Sequence, residues 1–124
     1  MALNRTILLV DDEITLLRAT HEVLKLSGYQ VISAANGQEA QLFFNQHQAR
    51  LDLVITDLDM PDMDGVALMM ALRHEKPQLK IIIISGNIEL IENTNHPLHQ
   101  ADLVLAKSFR LTRLLEAIAM LLPD

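Results

Sequence analysis

Residues 51–65 read LDLVITDLDMPDMDG. Leu51, Leu53, Val54 and Ile55 make an apolar run that stops at Asp57, and acids, proline and glycine crowd the residues that follow, Leu58, Asp59, Met60, Pro61, Asp62, Met63, Asp64 and Gly65. The run reads as a buried strand over 51–56. Asp57 stands at its C-terminal tip, ahead of a tight acidic loop. Two explanations compete. Asp, Pro and Gly are ordinary turn residues, so Asp57 can simply start a turn. Alternatively, the strand delivers a carboxylate to a site. The neighbouring segments decide between them.

Upstream, residues 6–10 (TILLV) form a second continuous apolar run, ending at Asp11-Asp12-Glu13. Unbroken rather than alternating hydrophobicity marks a strand buried on both faces, as in a parallel sheet. An amphipathic helix follows, with Leu16, Leu17, Ala19, Val23, Leu24 and Leu26 on one broad face and Arg18, Glu22 and Lys25 opposite. Ser27-Gly28 stops it, Gly28 being suited to a left-handed C-terminal position. His21, at the edge of that face, has no partner at helical spacing and reads as a boundary residue. Residues 29–34 (YQVISA) are a further strand, and a helix over 38–47 carries Ala40, Phe43, Phe44 and His47 at i, i+3, i+4 and i+7.

Downstream, Asp64 suits the N-cap of a helix bearing Val66, Leu68, Met69, Met70 and Leu72, which ends near His74 and Pro77. Residues 80–85 (KIIIIS) are the strongest strand in the chain. In the next segment Ile88, Leu90 and Ile91 support a short helix only, because Asn93, Asn95 and Pro97 oppose a long one. Residues 103–106 (LVLA) are a fifth strand ending at Lys107. A last helix over 110–122 presents Leu111, Leu114, Leu115, Ile118, Ala119 and Leu122. Strand and helix thus alternate five times. That alternation predicts a single α/β domain over 1–124, with a parallel sheet, right-handed crossovers and helices on both faces.

Composition narrows the function. The chain has 124 residues, of which 50% are hydrophobic, and no cysteine. That supports a real core, excludes disulfides and thiolate metal sites, and fits a reducing, cytoplasmic setting. No apolar run reaches the ~18 residues of a membrane span, and the N-terminal MALNRTILLVDDE does not follow a signal-peptide pattern. The net charge is −6 and aromatics are scarce, so direct nucleic-acid binding is not expected.

In an open parallel sheet the strand C-termini share one edge, and sites form there. The expected tips are Asp11 and Asp12, Asp57, Ser85 and Lys107; only the second strand ends blandly, in Ala34 and Ala35. Three carboxylates at close quarters repel, which raises a pKa or calls for a cation. All-oxygen, hard ligation suits Mg2+. With charge neutralised, Asp57 can act as a nucleophile toward a phosphoryl donor, and Lys107 and Ser85 can hold phosphoryl oxygens. Each residue alone has a plainer role: helix cap, turn residue, solvated lysine. Their coincidence on four of five strand ends favours the joint site.

These residues resemble the receiver domain of bacterial response regulators, across the whole chain. The match lies in Asp11-Asp12, the D-x-x-M-P-x-M-D-G run from Asp57 to Gly65, Ser85-Gly86, Lys107, and Phe109 two residues later. The resemblance implies a doubly wound five-stranded sheet of order 2-1-3-4-5 with five helices. It implies Asp57 as phosphoacceptor and Mg2+ bound by Asp12, Asp57 and the backbone carbonyl of Asp59, with Asp11 acting through water. It further implies a sensor histidine kinase or phosphotransfer protein as partner, and a responsive strand-4/helix-4/strand-5/helix-5 surface at which a homodimer can form. Such a domain is not an enzyme beyond gaining and losing its own phosphoryl group.

Two positions depart from the pattern. Ser108 replaces the proline common after the lysine, and a cis bond there would cost about 2.5–4 kcal/mol, so a trans or strained loop is expected. Val104 replaces an aromatic whose rotamer reports phosphorylation, and valine cannot make that swing. Two alternatives stay in view. One is a receiver that works by binding without phosphate. The other is an aspartate-nucleophile phosphatase of haloacid-dehalogenase type, suggested by Asp57-Leu58-Asp59. Against the latter, the acidic pair precedes the nucleophile and the chain has no room for a capping insertion.

Overall fold

A computed structural model describes residues 5–123. In chain order the elements are β1 (Thr6–Val10), α1 (Ile14–Leu26), β2 (Gln30–Ala34), α2 (Gly37–His47), β3 (Leu51–Asp57), α3 (Gly65–Glu75), β4 (Lys80–Ser85), α4 (Ile88–Glu92), β5 (Leu103–Ala106) and α5 (Arg110–Leu121). The five strands form one sheet of order β2-β1-β3-β4-β5, and every pairing is parallel.

The unbroken apolar runs have a direct cause. Successive side chains of a strand point to opposite faces, and both faces of this sheet are covered. Leu8, Val10, Val54, Ile81 and Ile83 pack with Phe44 of α2 and with Leu68 and Leu72 of α3. Their neighbours Ile7, Leu9, Leu53, Ile55, Ile82 and Ile84 pack on the other side with Leu24 of α1 and with Leu114 and Ile118 of α5. The edge strands β2 and β5 are only half-buried, apart from the fully covered Ala34.

The helices match their expected bounds to within a residue or so, yet two apolar faces are narrower than their sequences suggest. In α1 the buried positions are Leu17, Thr20 and Leu24. Ala19 is exposed, and Leu26, in the last turn, is 84% exposed. In α5 the buried apolar residues are Leu114, Ala117 and Ile118, while Leu111, Leu115 and Ala119 are exposed. A flat sheet covers a strip of a helix, not the full half-cylinder that periodicity describes. α4 spans only five residues, as its composition predicts. Gly28 takes φ 100° beyond the end of α1, the left-handed conformation expected of it. All peptide bonds among the described residues are trans, so Lys107-Ser108 is trans, and residues Lys107–Phe109 form a single 3-10 turn.

The acidic loop after β3 is fixed largely by its own carboxylates. Asp64 Oδ1 accepts from the Ala67 amide at 2.8 Å and caps α3. Asp62 reaches across to the start of α2, accepting from the Gly37 and Gln38 amides at 3.2 and 3.0 Å. The exit from β3 is tight: the Gly65 amide donates to Leu58 O at 2.7 Å. A Cβ on Gly65 would lie 2.5 Å from Asp57 O. Backbone, not a flexible side chain, would have to yield. Gly65→Ala is therefore expected to destabilise the fold by about 1–3 kcal/mol, readable in urea unfolding, whereas Gly86→Ala should be milder because its Cβ would meet only Lys107 side-chain atoms at 3.7 Å or more.

Candidate functional site

Register brings the strand tips together. Val10 pairs with Thr56 of β3, so Asp11 and Asp57, each one residue further on, leave the sheet side by side. The Asp11 amide donates to Ala34 O at 3.1 Å, which extends the β1 ladder by one residue. Asp57 pairs with Ile84, and the next residue, Ser85, pairs with Ala106. Carboxylate oxygens of Asp11, Asp12 and Asp57 all lie within 4.8 Å of one another. Asp11 and Asp57 are buried, at 4% and 5% exposure, and Asp12 faces solvent.

The two buried acids are not equivalent. Asp11 Oδ1 accepts from the Glu13 amide at 2.9 Å, and Oδ2 accepts from Arg110 Nη1 at 3.1 Å. Asp57 Oδ1 lies 3.7 Å from the same Arg110 nitrogen. The Asp57 carboxyl is pushed up from 3.8 to about 8, first by burial, then by its hydrogen bond with Asp11 and the charge of Asp11. Lys107 and Arg110 pull it down and do not prevail. Asp62 is held below its usual value, chiefly by the Gly37 amide, in keeping with a capping role.

The other expected site residues stand around this trio. Ser85 is buried at the tip of β4, and its Oγ accepts from the Asn87 amide at 3.0 Å. Lys107 begins the turn after β5, with Nζ 3.3 Å from Glu13 Oε1. Its ion-pair partner is Glu13 rather than Asp57. Asp59 is exposed and is not one of the three clustered carboxylates.

Sequence reading did not single out Arg110, which enters it only as the start of the last helix. At 5% exposure it is nonetheless the buried cation of this site. The available signal was a basic residue at the first position of a helix, where the macrodipole disfavours positive charge. Glu13 as the partner of Lys107 and Asp62 as a cap on α2 also depend on contacts between distant segments.

The donor set suits a hard divalent cation. Its members are carboxylate oxygens, with one exposed arm for access, and they fit Mg2+ better than a softer metal. Asp11, Asp12 and Asp57 are the residues that could hold such an ion.

Comparison with known proteins identifies the family. Residues 7–119 match the model of the response regulator receiver domain. The sporulation initiation phosphotransferase F of Bacillus subtilis is 29% identical over 123 residues, spanning 98% of this chain and 96% of that protein. The sensor kinase CckA of Brucella abortus is 34% identical over 119 residues, or 96% of this chain but only 13% of the kinase. The response regulator TrrA of Thermotoga maritima, solved in complex with Mg(2+)-BeF, superposes with a TM-score of 0.83 at 33% identity, covering 95% of this chain and 99% of that one.

The Asp57 carboxyl gives a pH signature. Its folded pKa lies above its unfolded value, so its proton contributes stability that is complete below about pH 4 and is lost as pH rises through about 8. In metal-free buffer Asp57→Asn should therefore melt higher than the parent above pH 8, by on the order of 1–2 kcal/mol, with the gap closing toward pH 5. A gap independent of pH in thermal melts would remove Asp57 as the titrating group.

Proposed function

This chain belongs to the response regulator receiver domain family of two-component signalling, and from that premise we propose that Asp57 accepts a phosphoryl group from a histidine kinase or phosphotransfer partner. The observation that carries the reading is the buried Asp57 at the tip of β3, with oxygens of Asp11 and Asp12 within 4.8 Å. We read residues 1–124 as one receiver domain. The family match favours this over the aspartate-nucleophile phosphatase.

An Asp57 oxygen attacks the phosphorus of a phosphohistidine on the partner. The new O–P bond forms as the P–N bond breaks, and the imidazole nitrogen leaves with the electron pair and takes up a proton. Asp57 must be ionised for this, and burial beside Asp11 opposes that ionisation. The ligands we assign are Asp12, Asp57 and the Asp59 main-chain carbonyl, with Asp11 acting through water. Mg2+ held by these residues would supply positive charge favouring ionisation of Asp57 and approach of a phosphoryl dianion. Lys107 exchanges Glu13 for a phosphoryl oxygen.

Ser85 offers a route outward. Its Oγ accepts from the Asn87 amide, and Asn87 Oδ1 in turn caps α4 through the Leu90 amide at 3.2 Å. A Ser85 hydroxyl recruited to a phosphoryl oxygen alters the start of α4. The surface of β4, α4, β5 and α5 then reports the event, and a homodimer through that face is one outcome. Exposed Ile88 and Met120 supply apolar area there. The relatives differ in length, and this chain spans only 13% of CckA, so output and pathway are not transferred from them. One observation favours the alternative of a receiver that works by binding alone: Arg110 Nη1 stands 3.1 Å from Asp11 Oδ2 and 3.7 Å from Asp57 Oδ1, offering the pocket a cation of its own.

Incubation with Mg2+ and acetyl phosphate separates the two. Intact mass should show one added phosphoryl group, lost in Asp57→Asn and on chelation. Lys107→Ala should slow its appearance by roughly 10²–10³-fold. No adduct under any of these conditions would leave binding alone as the function.

A further inference from the structure

Arg110 occupies an unfavourable place for a free cation. It is the first residue of α5, where the positive end of a 12-residue helix repels positive charge. The helix has no side-chain cap to offset this. The side chain is 5% exposed, and its Nε is buried without a hydrogen-bond partner. Burial of a guanidinium is tolerated only with opposite charge at hand. Here that charge comes from across the chain: Nη1 stands 3.1 Å from Asp11 Oδ2 and 3.7 Å from Asp57 Oδ1. Lys107, by contrast, is part-exposed and paired with Glu13.

We infer that Arg110 is a resident counter-cation of the acidic pocket, which competes with the divalent ion for the Asp11 and Asp57 carboxylates and ties the start of α5 to the unloaded site. The inference rests on the reading of the pocket as a divalent-cation site. Both cations draw on the negative charge of Asp11 and Asp57, and an ion bound there reduces what is left to attract the guanidinium. An ion entering the pocket weakens the pairs that hold Arg110 in place. The orphaned Nε shows that the guanidinium is held by one edge rather than locked into a full network, so little else opposes its release. Arg110 therefore sets the threshold of metal loading and delivers that loading to the N-terminus of α5.

The test uses the full chain with Mg2+ alone, at fixed ionic strength. Arg110→Gln removes the charge and keeps much of the length and polarity, and Arg110→Lys keeps the charge. By calorimetric titration, Arg110→Gln should bind Mg2+ roughly tenfold or more tightly than the parent, and Arg110→Lys should remain near it. In thermal melts Arg110→Gln should lose stability in metal-free buffer and recover more than the parent does on adding Mg2+. Equal or weaker Mg2+ affinity in folded Arg110→Gln would overturn the inference while leaving the metal site intact. Failure of both parent and variant to bind Mg2+ would overturn the metal site itself and the inference with it. If Arg110→Gln does not fold, the parent decides. With 15N-labelled arginine, the buried Arg110 Nε–H should exchange faster at saturating Mg2+ than without it, and unchanged exchange would overturn the proposal.

Discussion

Repulsion among three carboxylates at the carboxyl edge of the sheet governs how the rest of this site is built. Parallel register places Asp11 and Asp57 one residue past paired positions, so the ladder fixes their backbones side by side. Two buried acids at that separation cannot both ionise without compensation. The chain answers in three ways. Asp57 holds its proton up to about pH 8, Asp11 takes a main-chain amide and a guanidinium, and Asp12 stays in solvent. The result is a cluster of carboxylates at the sheet edge whose oxygens suit a hard divalent cation.

The acids of the following loop fall into two groups under the same logic. Asp62 and Asp64 look, in sequence, like further members of an acidic cluster. In the fold their oxygens are taken by the amides of α2 and α3. They are spent on helix N-termini, where negative charge is favoured. This separates structural from reactive carboxylates within eight residues, and it braces the loop that carries Asp59 between two helices. Gly65 adds a steric limit, since its hydrogen lies against the Asp57 carbonyl where a methyl would collide.

The fold was legible because its signals are local and repetitive. Unbroken apolar runs at β1, β3 and β4, helical periodicity between them, and strand-end residues of matching chemistry are each contained in a few consecutive positions. The strand tips Asp11, Asp57, Ser85 and Lys107 follow from topology once a parallel sheet is granted. What stayed hidden depends on distances across the chain. Arg110 and Asp11 are 99 residues apart, and Lys107 and Glu13 are 94 apart. Nothing in the last helix's periodicity distinguishes a buried arginine at its first position from a solvated one. The exposed Leu111 and Leu115 mislead in the opposite sense, because hydrophobicity records what can be buried and the width of the sheet decides what is.

The segment after β5 brings these strands of reasoning together. Lys107 and Arg110 sit three residues apart, bracketing a single 3-10 turn, and both face acids of the pocket. Phe109 between them lies on the surface, its ring under the Arg113 guanidinium at 5.1 Å, so it does not anchor the turn inward. Val104, further back on β5, is half-buried against the core and carries no aromatic ring. Two cations thus stand on one short segment between the pocket and α5. Coulomb coupling to the pocket is stronger for Arg110, buried 3.1 Å from Asp11, than for Lys107, whose pair with Glu13 is exposed to solvent.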